Sequence, residues 1–163
     1  VAESWLLTRI SEAESAILKF LHAYIDGASK GNPGKAGAGA MIKNPVLNFQ
    51  IPLAKFLGIA TNNQAEYSAL ILLLQFLIEH KSEFADCTNL MVFSDSELLV
   101  RQMNGKYKIK SPNIIKYHIQ VRKLIEHCGM KVSFQHIPRE DNREADQLAN
   151  QAINEYNLNN SGK

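Results

Sequence analysis

Residues 20–26 are dense in β-formers and stop at Gly27, and Gly31-Asn-Pro-Gly34 then supplies a strong turn signal, so the pattern opens with a strand and a tight reversal. Residues 37–43 alternate small and apolar side chains, as a strand lying against a close neighbour does. Asn44-Pro45 turns the chain, and 46–56 reads as a third strand that completes an antiparallel meander. Over 64–80 the residues Ala65, Ala69, Leu70, Leu73, Leu74 and Leu77 leave little polar face, which predicts a largely buried helix. Residues 90–93 are wholly apolar and suit a central parallel strand. A brief helix is expected over 96–104, closed by Gly105, and a longer one over 113–128 with Ile115, Ile119, Val121, Leu124 and Ile125 apolar. A fifth strand over 132–137 ends at Pro138, and a last helix over 141–156 turns Ala145, Leu148, Ala149, Ala152 and Ile153 inward.

The order β-β-β-α-β-α-α-β-α predicts an α/β fold: a five-stranded mixed sheet, three antiparallel strands followed by two parallel ones, flanked by helices. The 163 residues suit one such domain, placed at 20–156. Ahead of it, Leu6, Ile10, Ala13 and Ile17 form a helical stripe, so the extension 1–19 is expected to hold a short packed helix. Residues 157–163 are small and polar, and a flexible tail is expected there. The net charge is only +2, so a nucleic-acid partner must be met by a local basic patch. No run reaches the ~18 apolar residues of a membrane span. Cys87 and Cys128 are too few and too far apart for a disulfide framework or a zinc site, which suits reduced thiols and a cytoplasmic setting. A monomer without an obligatory protein partner is the simplest expectation.

Candidate chemistry lies in four acidic residues with different surroundings. Asp26 and Asp95 close β-rich runs in Tyr24-Ile-Asp-Gly and Val92-Phe-Ser-Asp-Ser, while Glu66 and Asp146 open helical patterns in Thr61-Asn-Asn-Gln-Ala-Glu and Arg143-Glu-Ala-Asp. If the fold gathers them they repel, by roughly 4 kcal/mol for a pair about 4 Å apart at an effective dielectric near 20. A hard divalent cation such as Mg²⁺ cancels that cost, so metal-assisted phosphoryl chemistry is the leading reading. Local alternatives exist for each acid. Asp26-Gly27 can be a turn, Asn63 to Glu66 fits a capping box, Asp95 fits an N-cap, and Asp141 to Glu144 fits a second capping box that leaves Asp146 spare. The glycine-rich run after Asp26 is not a P-loop, because Ser29 and Ala36 break that pattern.

Taken together, Tyr24-Ile-Asp-Gly with Gly31-Asn-Pro-Gly, Thr61-Asn-Asn-Gln-Ala-Glu-Tyr, Ser94-Asp-Ser and Pro138-Arg-Glu-Asp-Asn-Arg-Glu-Ala-Asp resemble the type 1 ribonuclease H family of the short bacterial and archaeal kind. The resemblance implies a ribonuclease H-like sheet and endonucleolytic hydrolysis of the RNA strand of RNA–DNA hybrids by two Mg²⁺ ions, with Mn²⁺ able to substitute, giving 5′-phosphate and 3′-hydroxyl ends. The family's metal-site carboxylates carry over to Asp26, Glu66, Asp95 and Asp146, with the Gly27 backbone beside Asp26 in the same metal site. It also implies that Gly31, Asn32, Thr61, Asn62 and Asn63 meet the hybrid, with Thr61 at a DNA-strand phosphate. Other nucleases or strand-transfer enzymes on the same fold, and a non-catalytic nucleic-acid-binding domain, are the competing readings.

From Arg101 to Lys131 eight Lys or Arg residues face one acid, Glu126, and Lys106-Tyr-Lys-Ile-Lys110 interleaves charge with an aromatic ring. Lys106 and Lys108 are therefore candidate phosphate contacts. The glycine–histidine loop that precedes the last acid in many bacterial relatives is replaced here by His136-Ile-Pro-Arg-Glu. His136 falls in a strand pattern and is expected to be packed or hydrogen-bonded, which leaves Arg139 or Glu140 as auxiliary candidates.

Overall fold

The computed structural model describes residues 19–161; the helix expected within 1–19 lies outside them, apart from residue 19. Five strands, β1 (Phe20–Gly31), β2 (Gly34–Lys43), β3 (Gln50–Ala60), β4 (Asn89–Ser94) and β5 (Lys131–His136), form one sheet in the order β3-β2-β1-β4-β5. The β3-β2-β1 half is antiparallel and the β1-β4-β5 half is parallel, as the element order implied. Helices α1 (Asn62–Glu79), α2 (Glu97–Met103), α3 (Pro112–Cys128) and α4 (Arg143–Asn160) complete the chain. None is long and apolar enough to cross a membrane, among the described residues.

Side-chain alternation divides the sheet into two faces. Leu21, Ala23 and Ile25 of β1 and Ala38, Ala40 and Ile42 of β2 are buried with Leu70, Leu73, Leu74 and Leu77 of α1 in the main core. Gly37 and Gly39, which alternate with those alanines, instead meet the α4 backbone at Ala149 and Ala145. The result is a helix–sheet–helix sandwich. Both cysteines are buried, and neither forms a disulfide.

The structure corrects several boundaries. β1 does not stop at Gly27 but runs to Gly31, so Asp26 stands within the strand, paired with Gly39. It sits one residue beyond the last parallel rung, Ile25 with Ser94. β3 begins at Gln50 rather than at 46, because Asn44 folds the preceding residues into a turn: its Oδ1 accepts from the Val46 and Leu47 amides and its Nδ2 donates to the Phe20 carbonyl. In α3 the inward positions belong to Ile114, Val121 and Cys128, while Ile115 and Ile119 are exposed. α4 continues past 156 to Asn160.

Candidate active site

The four acids come from four parts of the chain and line one open cleft of about 450 Å³, together with Gly27, Ala28, Ser29, Lys30, Asn62, Arg139 and Asn150. Asp26 is supplied by β1, Glu66 by the second turn of α1, Asp95 by the position that follows β4 and Asp146 by the first turn of α4. One oxygen each from Asp26, Glu66 and Asp95 lies within 4.8 Å of the others. Asp146 shares the cleft and acts on the ionisation of Asp26.

Local alternatives for two of these acids do not hold. The N-cap of α1 is Thr61, whose hydroxyl accepts from the Gln64 amide while Gln64 Oε1 accepts from the Thr61 amide. The capping box is therefore Thr61–Gln64, two residues earlier than Asn63–Glu66, and Glu66 is left for the cleft. Likewise Ser96, not Asp95, caps α2 by accepting from the Leu99 amide. The Asp141–Glu144 box is absent as well. Asp141 lies in the 3-10 turn Arg139–Asp141, and α4 is preceded by Asn142, whose side chain does not cap it.

Instead, the Asn142 amide donates to the Ile25 carbonyl at 2.8 Å and to Asp95 Oδ2 at 3.1 Å, tying the start of α4 to the ends of β1 and β4. Asn142 is 1% exposed. Sequence reading missed it because nothing local separates it from an ordinary loop asparagine. Gly39 was missed in the same way, and Gly27, named for its backbone in the metal site, was not foreseen as a close-packing position. A Cβ on Gly27 would stand 2.2 Å from the Ala65 carbonyl carbon and 2.4 Å from the Glu66 amide nitrogen, so only glycine lets α1 bring Glu66 beside Asp26. A Cβ on Gly39 would stand 2.3 Å from the Ala145 carbonyl oxygen. That second contact seats the helix carrying Asp146.

Crowding shows in the ionisation of the site. Burial, then the charge of Asp95 and hydrogen bonding with Asp146, pushes the Asp26 carboxyl up to about 8. Burial and the charges of Asp26 and Asp95 hold Glu66 well above the usual carboxylate range. Glu66 Oε2 is buried without a hydrogen-bond partner, an arrangement that asks for a proton or a cation. An all-oxygen donor set of this charge fits a hard divalent cation.

The other candidates separate into groups. Asn32, Thr61, Asn62 and Asn63 line a second depression with Gln64, Ser111, Asn113 and Ile114, and Asn62 also borders the acidic cleft. Asn32 Oδ1 accepts from the Asn62 amide, which holds the β1–β2 turn against the start of α1. Gly31 closes that turn with a φ of 114°. Lys106 and Lys108 are exposed and stand apart from the acids; Lys106 borders a third depression with Glu97, Arg101, Asn104 and His136. His136 is exposed at the end of β5, not packed as its strand pattern suggested. Of the two auxiliary candidates, Arg139 lines the acidic cleft and Glu140 does not.

Residues 24–152 match the family described as "Reverse transcriptase-like". Over 135 residues the chain is 33% identical to the protein named ribonuclease HI of Halobacterium salinarum, covering 83% of this chain and 65% of the relative. The chain belongs to the ribonuclease H family. A bifunctional protein of Mycobacterium tuberculosis is 36% identical over 129 residues, which is 78% of this chain but 34% of that protein, so the ribonuclease H chain described here spans about a third of that relative's length. Among solved structures, LC11-RNase H1 in complex with RNA/DNA hybrid superposes with a TM-score of 0.78 at 38% identity, covering 83% of this chain and 98% of that one. The RNase H1 of the same Halobacterium gives a TM-score of 0.75 at 34% identity, with the same coverage. The five-stranded mixed sheet is thus the ribonuclease H fold.

Proposed function

We propose that this ribonuclease H chain hydrolyses the RNA strand of RNA–DNA hybrids, with Asp26, Glu66, Asp95 and Asp146 holding two Mg²⁺ or Mn²⁺ ions. The observation that carries the reading is the three-carboxylate cluster within 4.8 Å, one member of which, Glu66, has a buried oxygen without a hydrogen-bond partner. Support comes from the LC11 relative, whose structure contains an RNA/DNA hybrid. Bound cations would supply acidified water and charge neutralisation at the scissile phosphate, and the products would carry 5′-phosphate and 3′-hydroxyl ends.

The chain's own groups prepare the site. Asn142 orients Asp95, which lines the cleft, by donating to its Oδ2. Gly27 keeps α1 close enough for Glu66 to reach Asp26. Arg139, a cation on the rim of the cleft, meets the scissile phosphate and takes the place of the missing loop histidine. Asn32, Thr61, Asn62 and Asn63 form a polar groove next to the acids, suited to the sugar edge of a duplex, where the 2′-hydroxyl distinguishes RNA from DNA. Lys106 and Lys108 track phosphates farther along the hybrid.

The decisive experiment compares labelled RNA–DNA hybrid, duplex DNA and duplex RNA in Mg²⁺ and in EDTA. Cutting confined to the RNA of the hybrid, and only with metal, is expected; Asp95→Asn keeps hybrid binding and loses cutting. Undiminished cutting by Asp95→Asn, or cutting in EDTA, overturns the proposal.

A further inference from the structure

Lys30 and Asn150 line the acidic cleft, yet neither belongs to the carboxylate set. Lys30 lies on β1 four residues past Asp26, so the strand period points it to the same face. Asn150 lies on α4 one turn past Asp146. Its amide nitrogen donates to Asp146 Oδ1 at 3.2 Å and to the Asp146 carbonyl at 2.9 Å, while its Oδ1 accepts from Lys30 Nζ at 2.7 Å. From the geometry we infer that Lys30 and Asn150 act as a pair of positioning residues, a tie from β1 to α4 that holds the Asp146 carboxylate in its metal-binding orientation.

The chemistry of the three groups makes the chain directional. An ammonium can only donate, an ionised carboxylate can only accept, and an amide does both from opposite ends. With Lys30 on its oxygen, the Asn150 amide must present its NH₂ to Asp146, so the lysine decides which way the amide faces. A lysine placed directly on Asp146 would be an ion pair competing with a bound cation for the carboxylate. The interposed amide holds one oxygen with a neutral donor and leaves Oδ2 for metal.

Position adds a reason for the tie. Asp26, Glu66 and Asp95 already form the compact cluster, and Asp146 is the acid outside it. Its helix reaches the sheet from the other face, so the Lys30–Asn150 link gives its side chain a hold on β1 besides its interaction with Asp26. Groups that orient metal ligands in this manner typically change metal affinity by about 10–100-fold.

This inference rests on the metal-dependent reading of the cleft, and the experiment keeps the two apart. Mn²⁺ binding by calorimetry, without nucleic acid, is measured on the full 163-residue chain and on Asn150→Ala, Lys30→Met and Lys30→Arg, with Mg²⁺ dependence of hybrid cleavage, KM for hybrid at saturating metal, and melting temperature in EDTA measured alongside. Asn150→Ala and Lys30→Met are expected to weaken Mn²⁺ binding, and to raise the half-activating Mg²⁺ concentration, by about 10-fold or more. KM for hybrid stays unchanged, and Lys30→Arg retains most of the unaltered affinity. Because Lys30 is exposed, Lys30→Met keeps its fold even where Asn150→Ala lowers the melting temperature. Unchanged metal dependence in Lys30→Met, or a raised KM with metal binding intact, overturns the tie; the second result makes Lys30 a substrate contact. If the unaltered chain neither binds Mn²⁺ nor cuts hybrid, the reading of the cleft fails and this inference falls with it.

Discussion

Asp26 is paired across the β1–β2 ladder with Gly39, one of the two β2 glycines that the backbone of α4 touches. The residue opposite the most deeply buried acid is thus one whose missing side chain admits the helix bearing another. On the neighbouring rung, Gly27 does the same for α1 and Glu66. Two helices on opposite faces can deliver carboxylates to one strand only because both approaches are this close.

Gly39→Ala tests that relationship. The added methyl would lie 2.3 Å from the Ala145 carbonyl oxygen and 2.6 Å from the Ala149 amide nitrogen, and backbone atoms cannot rotate aside. A loss of about 1–3 kcal/mol or more is expected from overpacking, read by urea denaturation, together with weaker metal binding as Asp146 moves out. Unaltered stability and metal affinity would show that α4 is held by other contacts.

Asn142→Ala removes the donor shared by Ile25 and Asp95. Leaving a buried carbonyl unsatisfied costs about 1–3 kcal/mol, and freeing Asp95 is expected to lower metal affinity by about 10–100-fold. Chemical denaturation and metal titration read the two effects separately. A stability loss alone would confine Asn142 to a structural role.

Stability without metal should fall as pH rises. The Asp26 carboxyl titrates near 8 in the fold and near about 3.9 in an unfolded chain. Between those values the folded state holds a proton that the unfolded state has released, so raising pH favours unfolding. The contribution is complete below about pH 4 and is lost as pH passes through about 8; the upward shift of Glu66 acts in the same direction. Melting curves in EDTA at a series of pH values are expected to show the decline, and Asp26→Asn to flatten it. Added Mg²⁺ at about 100 times its dissociation constant should restore about 2.7 kcal/mol. A flat profile in the unaltered chain would mean that the four acids are not crowded in solution.

Replacing Lys106, Lys108 and Lys110 together by alanine is expected to reduce the salt dependence of hybrid binding. Each neutralised phosphate contributes about 0.9 to the slope of log affinity against log salt, so a change of about 2 to 3 is expected with kcat intact. All three lysines are exposed. An unchanged slope would place the phosphate-tracking surface elsewhere.

Local pattern carried much of this molecule. The antiparallel meander, the apolar helix after it, the parallel strands and the element order all follow from periodicities that span a few neighbours, and the structure bears out the mixed sheet they imply. The four acids could be picked out because each stood beside a strand end or helix start. Their convergence could not be read in the same way, and capping rules assigned Glu66 and Asp95 plausible local duties that Thr61 and Ser96 in fact perform. What tertiary structure alone decided was how the acids are held: Gly39 against Ala145, Asn142 on Ile25 across 117 residues, and Lys30 on Asn150 across 120. Contacts of that range leave no periodic trace, because an asparagine or glycine looks the same in a sequence window whether it faces solvent or another element's backbone. The chain therefore announces its charged groups locally, while their orientation is set by packing between elements that only the folded sheet brings together.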